Sequence, residues 1–156
     1  MNELEIYIDG ASKGNPGPSG IGVVISRQGE TIENISSFIG VTTNNIAEYT
    51  ALIHALEKAR ALKAQELKIN TDSQLLYKQI CKVYKIKNAN ILVLYRQATT
   101  LMSDFKQVSI RQIPREENRG ADKLATRAII EELKKNRSLK CEQASLRKDY
   151  TVVKSL

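Results

Sequence analysis

The hydrophobic period of this chain changes near residue 43, and that change limits the folds open to it. Residues 3–9 alternate, with Leu4, Ile6 and Ile8 on one side and Glu5, Tyr7 and Asp9 on the other. A period of two marks a half-buried strand. Residues 21–27 and 31–39 are rich in β-branched side chains and flank Gln28-Gly29-Glu30, which predicts a hairpin. From residue 45 to 62 the period is helical: Ile46, Tyr49, Ile53 and Leu56 recur at three and four, with Ala and Leu between them. A meander that gives way to helix predicts a sheet covered by helices.

The rest of the chain extends this plan. Residues 10–20, GASKGNPGPSG, are dense in Gly and Pro and read as a loop. Thr42, Thr43 or Asn44 can cap the first long helix. Residues 66–72 alternate again, as a strand ending at Asp72. Short helices follow over 73–81, capped by Asp72 or Ser73, and over 89–103. A fifth strand spans 106–113, where Pro114 ends it. The last helix covers 117–135, with Ala121, Leu124, Ala125, Ala128, Ile129 and Leu133 facing inward. The predicted order is β-β-β-α-β-α-α-β-α: an α/β (α+β) fold with a five-stranded mixed sheet and helices on both faces, in one domain over residues 1–135. Residues 136–156 lack a sustained period and read as a mobile basic tail. Tyr150 to Val153 are open to pairing as a strand.

Charge points to a class of partner. The net charge is +7 over 156 residues. Residues 134–156 hold seven bases and two acids, leaving 17 bases and 15 acids in residues 1–133. Within that nearly balanced body, Lys78, Lys82, Lys85 and Lys87 form a basic stretch interleaved with Tyr77 and Tyr84. Such a distribution favours a polyanion without naming it. The longest aliphatic run, Ile91 to Leu94, falls far short of the roughly 20 apolar residues of a membrane span. The acidic start, Met1-Asn2-Glu3-Leu4-Glu5, is unlike a secretory signal. Cys81 and Cys141 make neither a disulfide framework nor a metal motif. A reduced, cytoplasmic protein, away from membranes and monomeric, is the expectation.

Four carboxylates stand at places where chemistry collects. Asp9 ends the first predicted strand and Asp72 the fourth, and sites in mixed sheets gather at such ends. Glu48 lies one turn into the first long helix, and Asp122 lies in the first turn of the last. Each has an ordinary structural reading alone: Asp72 as a cap, Asp122 as an acid at the positive end of a helix, Glu48 as a surface acid. If the four converge, their repulsion must be cancelled. Either Lys or Arg is inserted among them, or hard divalent cations such as Mg²⁺ or Mn²⁺ bind.

Four segments carry a resemblance: IDGASKGNPGPSGIG (8–22), TTNNIAEYTAL (42–52), INTDSQLL (69–76) and PREENRGADKLA (114–125). Together, in this order, they resemble type 1 ribonuclease H over residues 1–135. The resemblance implies a site of Asp9, Glu48, Asp72 and Asp122 holding two Mg²⁺ ions, with Mn²⁺ as an alternative. It implies an endonuclease that hydrolyses the RNA strand of an RNA–DNA hybrid to 5′-phosphate and 3′-hydroxyl ends. It places Gly10, Ala11 and Ser12 along the RNA strand. It makes Asn15, Asn44, Asn45 and Gln74 minor-groove contacts and Thr43 a contact to a phosphate of the DNA strand. The 2′-hydroxyl, donor and acceptor at once, is what separates RNA from DNA there. Double-stranded RNA remains open as a second substrate.

Two departures from the family pattern stand out. Many members carry a histidine in the loop before the last helix. Here that loop, Ile113 to Asn118, has none, and the only histidine is His54, on the expected outer face of the first long helix. Arg115, Glu116 and Glu117 are the nearest candidates to replace it. The chain also has no Trp, and residues 82–90 lack the inserted basic protrusion of some relatives. Lys78, Lys82, Lys85 and Lys87 are the candidates to supply its charge. Three rival readings are a non-catalytic binding module on the same fold, an actin-like nucleotide enzyme and an integrase-type transferase. The complete carboxylates oppose the first, the short chain and the absence of a G-x-x-x-x-G-K-[ST] loop oppose the second, and NNIAEYTAL with GADKLA opposes the third.

Overall fold

A computed structural model describes residues 2–149, the last four of them as backbone alone. The elements are β1 (Glu3–Ser12), β2 (Gly17–Arg27), β3 (Glu30–Thr42), α1 (Asn44–Ala61), β4 (Glu66–Thr71), α2 (Gln74–Ile80), α3 (Ala89–Met102), β5 (Gln107–Gln112), a single 3-10 turn at Arg115–Glu117, and α4 (Arg119–Asp149). The five strands form one sheet in the order β3-β2-β1-β4-β5. β1, β2 and β3 pair antiparallel, while β4 joins β1 and β5 joins β4 in parallel. The expected mixed sheet is therefore the one observed.

The period-two pattern of β1 sets the layers. Leu4, Ile6 and Ile8 are fully buried and join Ile21, Val23 and Ile25 of β2 in one core with Leu52 and Leu56 of α1. Helix α1 presents Ala47, Ala51, Ala55 and Ala59, four residues apart and all fully buried. Residues four apart share a helix face, and small ones let the helix axis approach the sheet. α4 lies on the opposite face. There β2 carries Gly20 and Gly22, and a Cβ at Gly22 would sit 2.0 Å from the Ala121 carbonyl oxygen. Ser36 of β3 donates its hydroxyl to the Leu124 carbonyl at 2.6 Å and ties the sheet edge to this helix.

Two expectations need correction. The Gly/Pro-rich segment 10–20 is not all loop: β1 runs on to Ser12 and β2 begins at Gly17, so only residues 13–16 connect them. Asp9 therefore lies inside its strand, in register with Gly22, rather than at its end. The last helix also does not stop at 135. It continues to Asp149, so residues 136–149 are helical rather than an irregular tail. Residues 134–145 are exposed on every side, which is why they show no apolar period. The strand expected at Tyr150–Val153 lies outside the described residues. Among the described residues, no helix is long and apolar enough to cross a membrane.

Candidate active site and nucleic-acid groove

Adjacent parallel strands bring Asp9 and Asp72 side by side. Ile8 of β1 is in register with Thr71 of β4, so the two aspartates follow neighbouring positions. Ser73, not Asp72, caps α2, its hydroxyl accepting from the Leu76 N–H at 3.1 Å. The Asp72 carboxylate is thus not consumed as a helix cap. Glu48 arrives from α1, whose first turn is fixed by Thr43, whose hydroxyl accepts from the Ile46 N–H at 3.3 Å. α1 approaches β1 closely because residue 10 is glycine: a Cβ there would lie 2.4 Å from the Glu48 nitrogen. Glu48 is only 4% exposed and Asp9 5%, so neither is a surface acid.

One carboxylate oxygen from each of Asp9, Glu48 and Asp72 lies within 4.8 Å of the other two. Asp122, next to the Ala121–Gly22 contact, lines the same cleft and acts on Asp9, yet stands outside this group of three. The cleft holds about 390 Å³ and is also lined by Gly10, Ala11, Ser12, Asn44, Ser73 and Arg115. Burial, then the charge of Asp72, pushes the Asp9 carboxyl up to about 7. Burial raises Glu48 well above the ordinary carboxylate range, with the Asp9 charge adding to it and the Gly10 N–H pulling the other way. Among the described residues, the ion pairs are Lys58–Glu33, Arg60–Asp104 and Lys68–Glu3, none of them in this cleft. Glu48 Oε2 is buried with no hydrogen-bond partner. Of the two ways to cancel the repulsion, inserted bases and bound cations, the arrangement fits the second. All-oxygen donors suit a hard divalent ion.

A second groove, of about 500 Å³, is lined by Asn15, Thr43, Asn45, Gln79, Lys85 and Lys87 among others. Asn44 connects the two, since it lines the first cleft and donates its N–H to Asn15 Oδ1 at 3.1 Å. Gln74 is exposed at the start of α2 and lines neither. Within the basic stretch, Lys78 lies 5.0 Å from the centroid of the Tyr84 ring, and Lys82 is exposed. Arg115 reaches the cleft, whereas Glu116 and Glu117 are exposed and do not line it. His54 is half-buried on α1 and is also absent from the cleft lining.

Sequence reasoning missed Asn118. Its amide nitrogen donates to the Ile8 carbonyl at 2.8 Å and to Asp72 Oδ2 at 3.0 Å. The available signal was an Asn immediately before a helix, which reads as a cap.

A mixed sheet in this order, helices on both faces and carboxylates meeting where β1 and β4 adjoin define a ribonuclease H-like domain. The reverse transcriptase-like family matches residues 7–128. The chain belongs to that family, among its type 1 ribonuclease H members. It is 39% identical to the bifunctional protein Rv2228c of Mycobacterium tuberculosis over 129 residues, covering 81% of this chain and 35% of that protein. It is 39% identical to ribonuclease HI of Halobacterium salinarum over 127 residues, covering 81% of this chain and 64% of that protein. The chain thus spans about a third of the first and under two thirds of the second. The crystal structure of LC11-RNase H1 in complex with an RNA/DNA hybrid is 38% identical with a TM-score of 0.80, covering 83% of this chain and 99% of that one.

Proposed function

We infer that this chain is a divalent-metal-dependent endonuclease that hydrolyses the RNA strand of RNA–DNA hybrids. The observation that carries this reading is the buried trio of Asp9, Glu48 and Asp72, with its orphaned Glu48 oxygen and no base paired to it among the described residues. The similarity to ribonucleases H, one of them solved on a hybrid, supports the substrate.

Asp9, Glu48, Asp72 and Asp122 would hold two Mg²⁺ ions, with Mn²⁺ as the alternative. Two such ions, when bound, lower the pKa of an attacking water and offset charge on the departing oxygen of a phosphodiester. The residues of the chain do the rest. Asp9, which interacts with the other three, would help to hold both ions. Glu48 and Asp72 would hold the ion near the nucleophile and position the scissile phosphate, and Glu48 would orient the water or a 2′-hydroxyl. Asp122 would hold the other ion. Water adds its oxygen to phosphorus and the bond to the 3′ oxygen breaks. The 3′ oxygen gains a proton, leaving a 5′-phosphate and a 3′-hydroxyl.

Backbone and short side chains at Gly10, Ala11 and Ser12 would lie along the RNA strand beside Asp9. Asn15, Asn44, Asn45 and Gln74 would offer amides to sugars and base edges of any sequence. Thr43, Lys85 and Lys87 would take phosphates of the DNA strand in the second groove, where placed positive charge is enough. Arg115 would contact the leaving phosphate. A reducing cytoplasmic setting suits the two exposed free cysteines, Cys81 and Cys141.

Labelled RNA–DNA, double-stranded RNA and double-stranded DNA, incubated side by side with Mg²⁺ or Mn²⁺, test the assignment. Cleavage confined to RNA strands, fastest in the hybrid, is expected. Binding of the hybrid without cleavage under either metal would favour a non-catalytic module.

A further inference from the structure

We propose that Asn118 is a positioning residue for the carboxylate cluster, holding Asp72 and β1 in fixed relation to the start of α4. The inference rests on the reading of the cleft as a metal-dependent nuclease site. Asn118 is 1% exposed and precedes the helix that carries Asp122. Its two amide protons are divided between the Ile8 carbonyl, one residue before Asp9, and Asp72 Oδ2. Its own carbonyl accepts the Asp122 N–H at 3.1 Å. One residue therefore bonds the strand of Asp9, the carboxylate of Asp72 and the backbone of Asp122.

The ordinary reading, a helix cap, does not describe this side chain. A capping Asn uses its side-chain oxygen to accept from N–H groups of the first turn. Here Oδ1 is buried with no partner, and the nitrogen makes both bonds. Ile8 O is an acceptor only, and Asp72 Oδ2 accepts from the same nitrogen, which sets which end of the amide faces them. An arrangement that leaves one polar atom unsatisfied to serve a carboxylate and a strand favours site geometry over local capping.

The bond to Asp72 also limits that carboxylate's freedom. With Oδ2 held, rotation of the Asp72 carboxylate is restrained while the group stays within reach of Asp9 and Glu48. Hydrogen bonds that orient ligand carboxylates typically change metal affinity or activity by roughly 10–100-fold when removed.

The test compares wild type with Asn118→Ala in three measurements: Mg²⁺ affinity by titration calorimetry, kcat and KM on an RNA–DNA hybrid, and thermal unfolding. The expected result for the folded variant is a kcat about 30-fold lower with KM within about twofold, and Mg²⁺ binding weakened about tenfold or more. Asn118→Ser has one hydroxyl proton, enough for only one of the two acceptors, and leaves a smaller cavity. It is expected to lose less on both counts, and it supplies the same comparison should Asn118→Ala fail to fold. Mg²⁺ affinity and kcat both within about threefold of wild type in a folded variant would overturn the proposal, as would a rise in KM that accounts for the whole loss. Wild-type protein that binds Mg²⁺ but leaves the hybrid intact would defeat the nuclease reading alone, because the Mg²⁺ titrations of the variants still decide the role of Asn118.

Discussion

A methyl group at residue 10 would collide with the backbone of Ala47 and Glu48, and one at residue 22 with the Ala121 carbonyl. Both collisions are with backbone, which cannot swing aside as a flexible side chain can. Gly10→Ala is therefore expected to push α1 off β1 and cost about 1–3 kcal/mol, as overpacking usually does. Because Glu48 rides on that helix, activity should fall further than stability explains. Urea unfolding alongside kcat measures both, and an Ala variant with unchanged midpoint and turnover would refute the close-approach argument. The sequence shows both glycines plainly, but Gly10 opens a segment so rich in Gly and Pro that it reads as a turn residue, and Gly22 falls inside a predicted strand. Only the packing of helices on both faces reveals that two of them hold carboxylates near one another. Asn118 was hidden for a similar reason, since its partners are 110 and 46 residues away.

The folded pKa of Asp9, about 7, lies above its ordinary value of 3.8. The folded state thus binds a proton that the unfolded state has released between these values. Stability from this group is fully present below about pH 4 and is lost as pH rises through about 7. Glu48 is shifted in the same direction. Metal-free protein should therefore melt at a lower temperature at pH 7.5 than at pH 5.5, other groups being equal. Mg²⁺ competes with these protons and should raise the midpoint more at pH 7.5 than at pH 5.5. Calorimetric scans with EDTA and with Mg²⁺ at the two pH values check both signs. A Mg²⁺ effect larger at pH 5.5 would contradict the assignment of these carboxylates to a cation.

Among elements, the long helices and strands were the most legible. α1, with its apolar face and capping threonine, and β1 and β4, with their strict alternation, follow directly from local pattern. Their meeting does not, because strand order depends on which strand pairs with β1 after a crossover. The far half of α4 was misread because an exposed helix has no face to mark. Thr43 joins local and distant roles. Its hydroxyl caps α1, and its side lines the groove that holds Lys85 and Lys87. Thr43→Ala should cost about 1 kcal/mol of stability, as the loss of a helix cap usually does, and weaken hybrid binding as well. Unfolding curves and hybrid titrations separate the two effects. Stability loss with unchanged binding would restrict Thr43 to capping.

For the whole molecule, the question is where the net +7 acts. The carboxylate cleft suits a cation of its own, and the groove beside it offers Lys85 and Lys87. Much of the remaining excess lies beyond residue 133, where α4 runs on to Asp149 with residues 134–145 exposed. Residues 1–135 are proposed as the catalytic unit, with the segment after them adding affinity. Removing residues 137–156 should weaken hybrid binding and flatten its dependence on salt, by about one in the log–log slope for each phosphate no longer neutralised. Turnover at saturating hybrid should persist. An unchanged slope would show that this charge lies outside the binding surface.

The most direct measurement follows a hybrid labelled in its RNA strand, with Mg²⁺, using wild type and Asp72→Asn. Wild type is expected to leave RNA fragments ending in 3′-hydroxyl groups. Asp72→Asn is expected to turn over at least about 100-fold more slowly while still binding the hybrid. Cleavage by the variant at the wild-type rate would remove Asp72 from the catalytic site, and intact RNA in a wild-type complex that plainly forms would refute the nuclease activity.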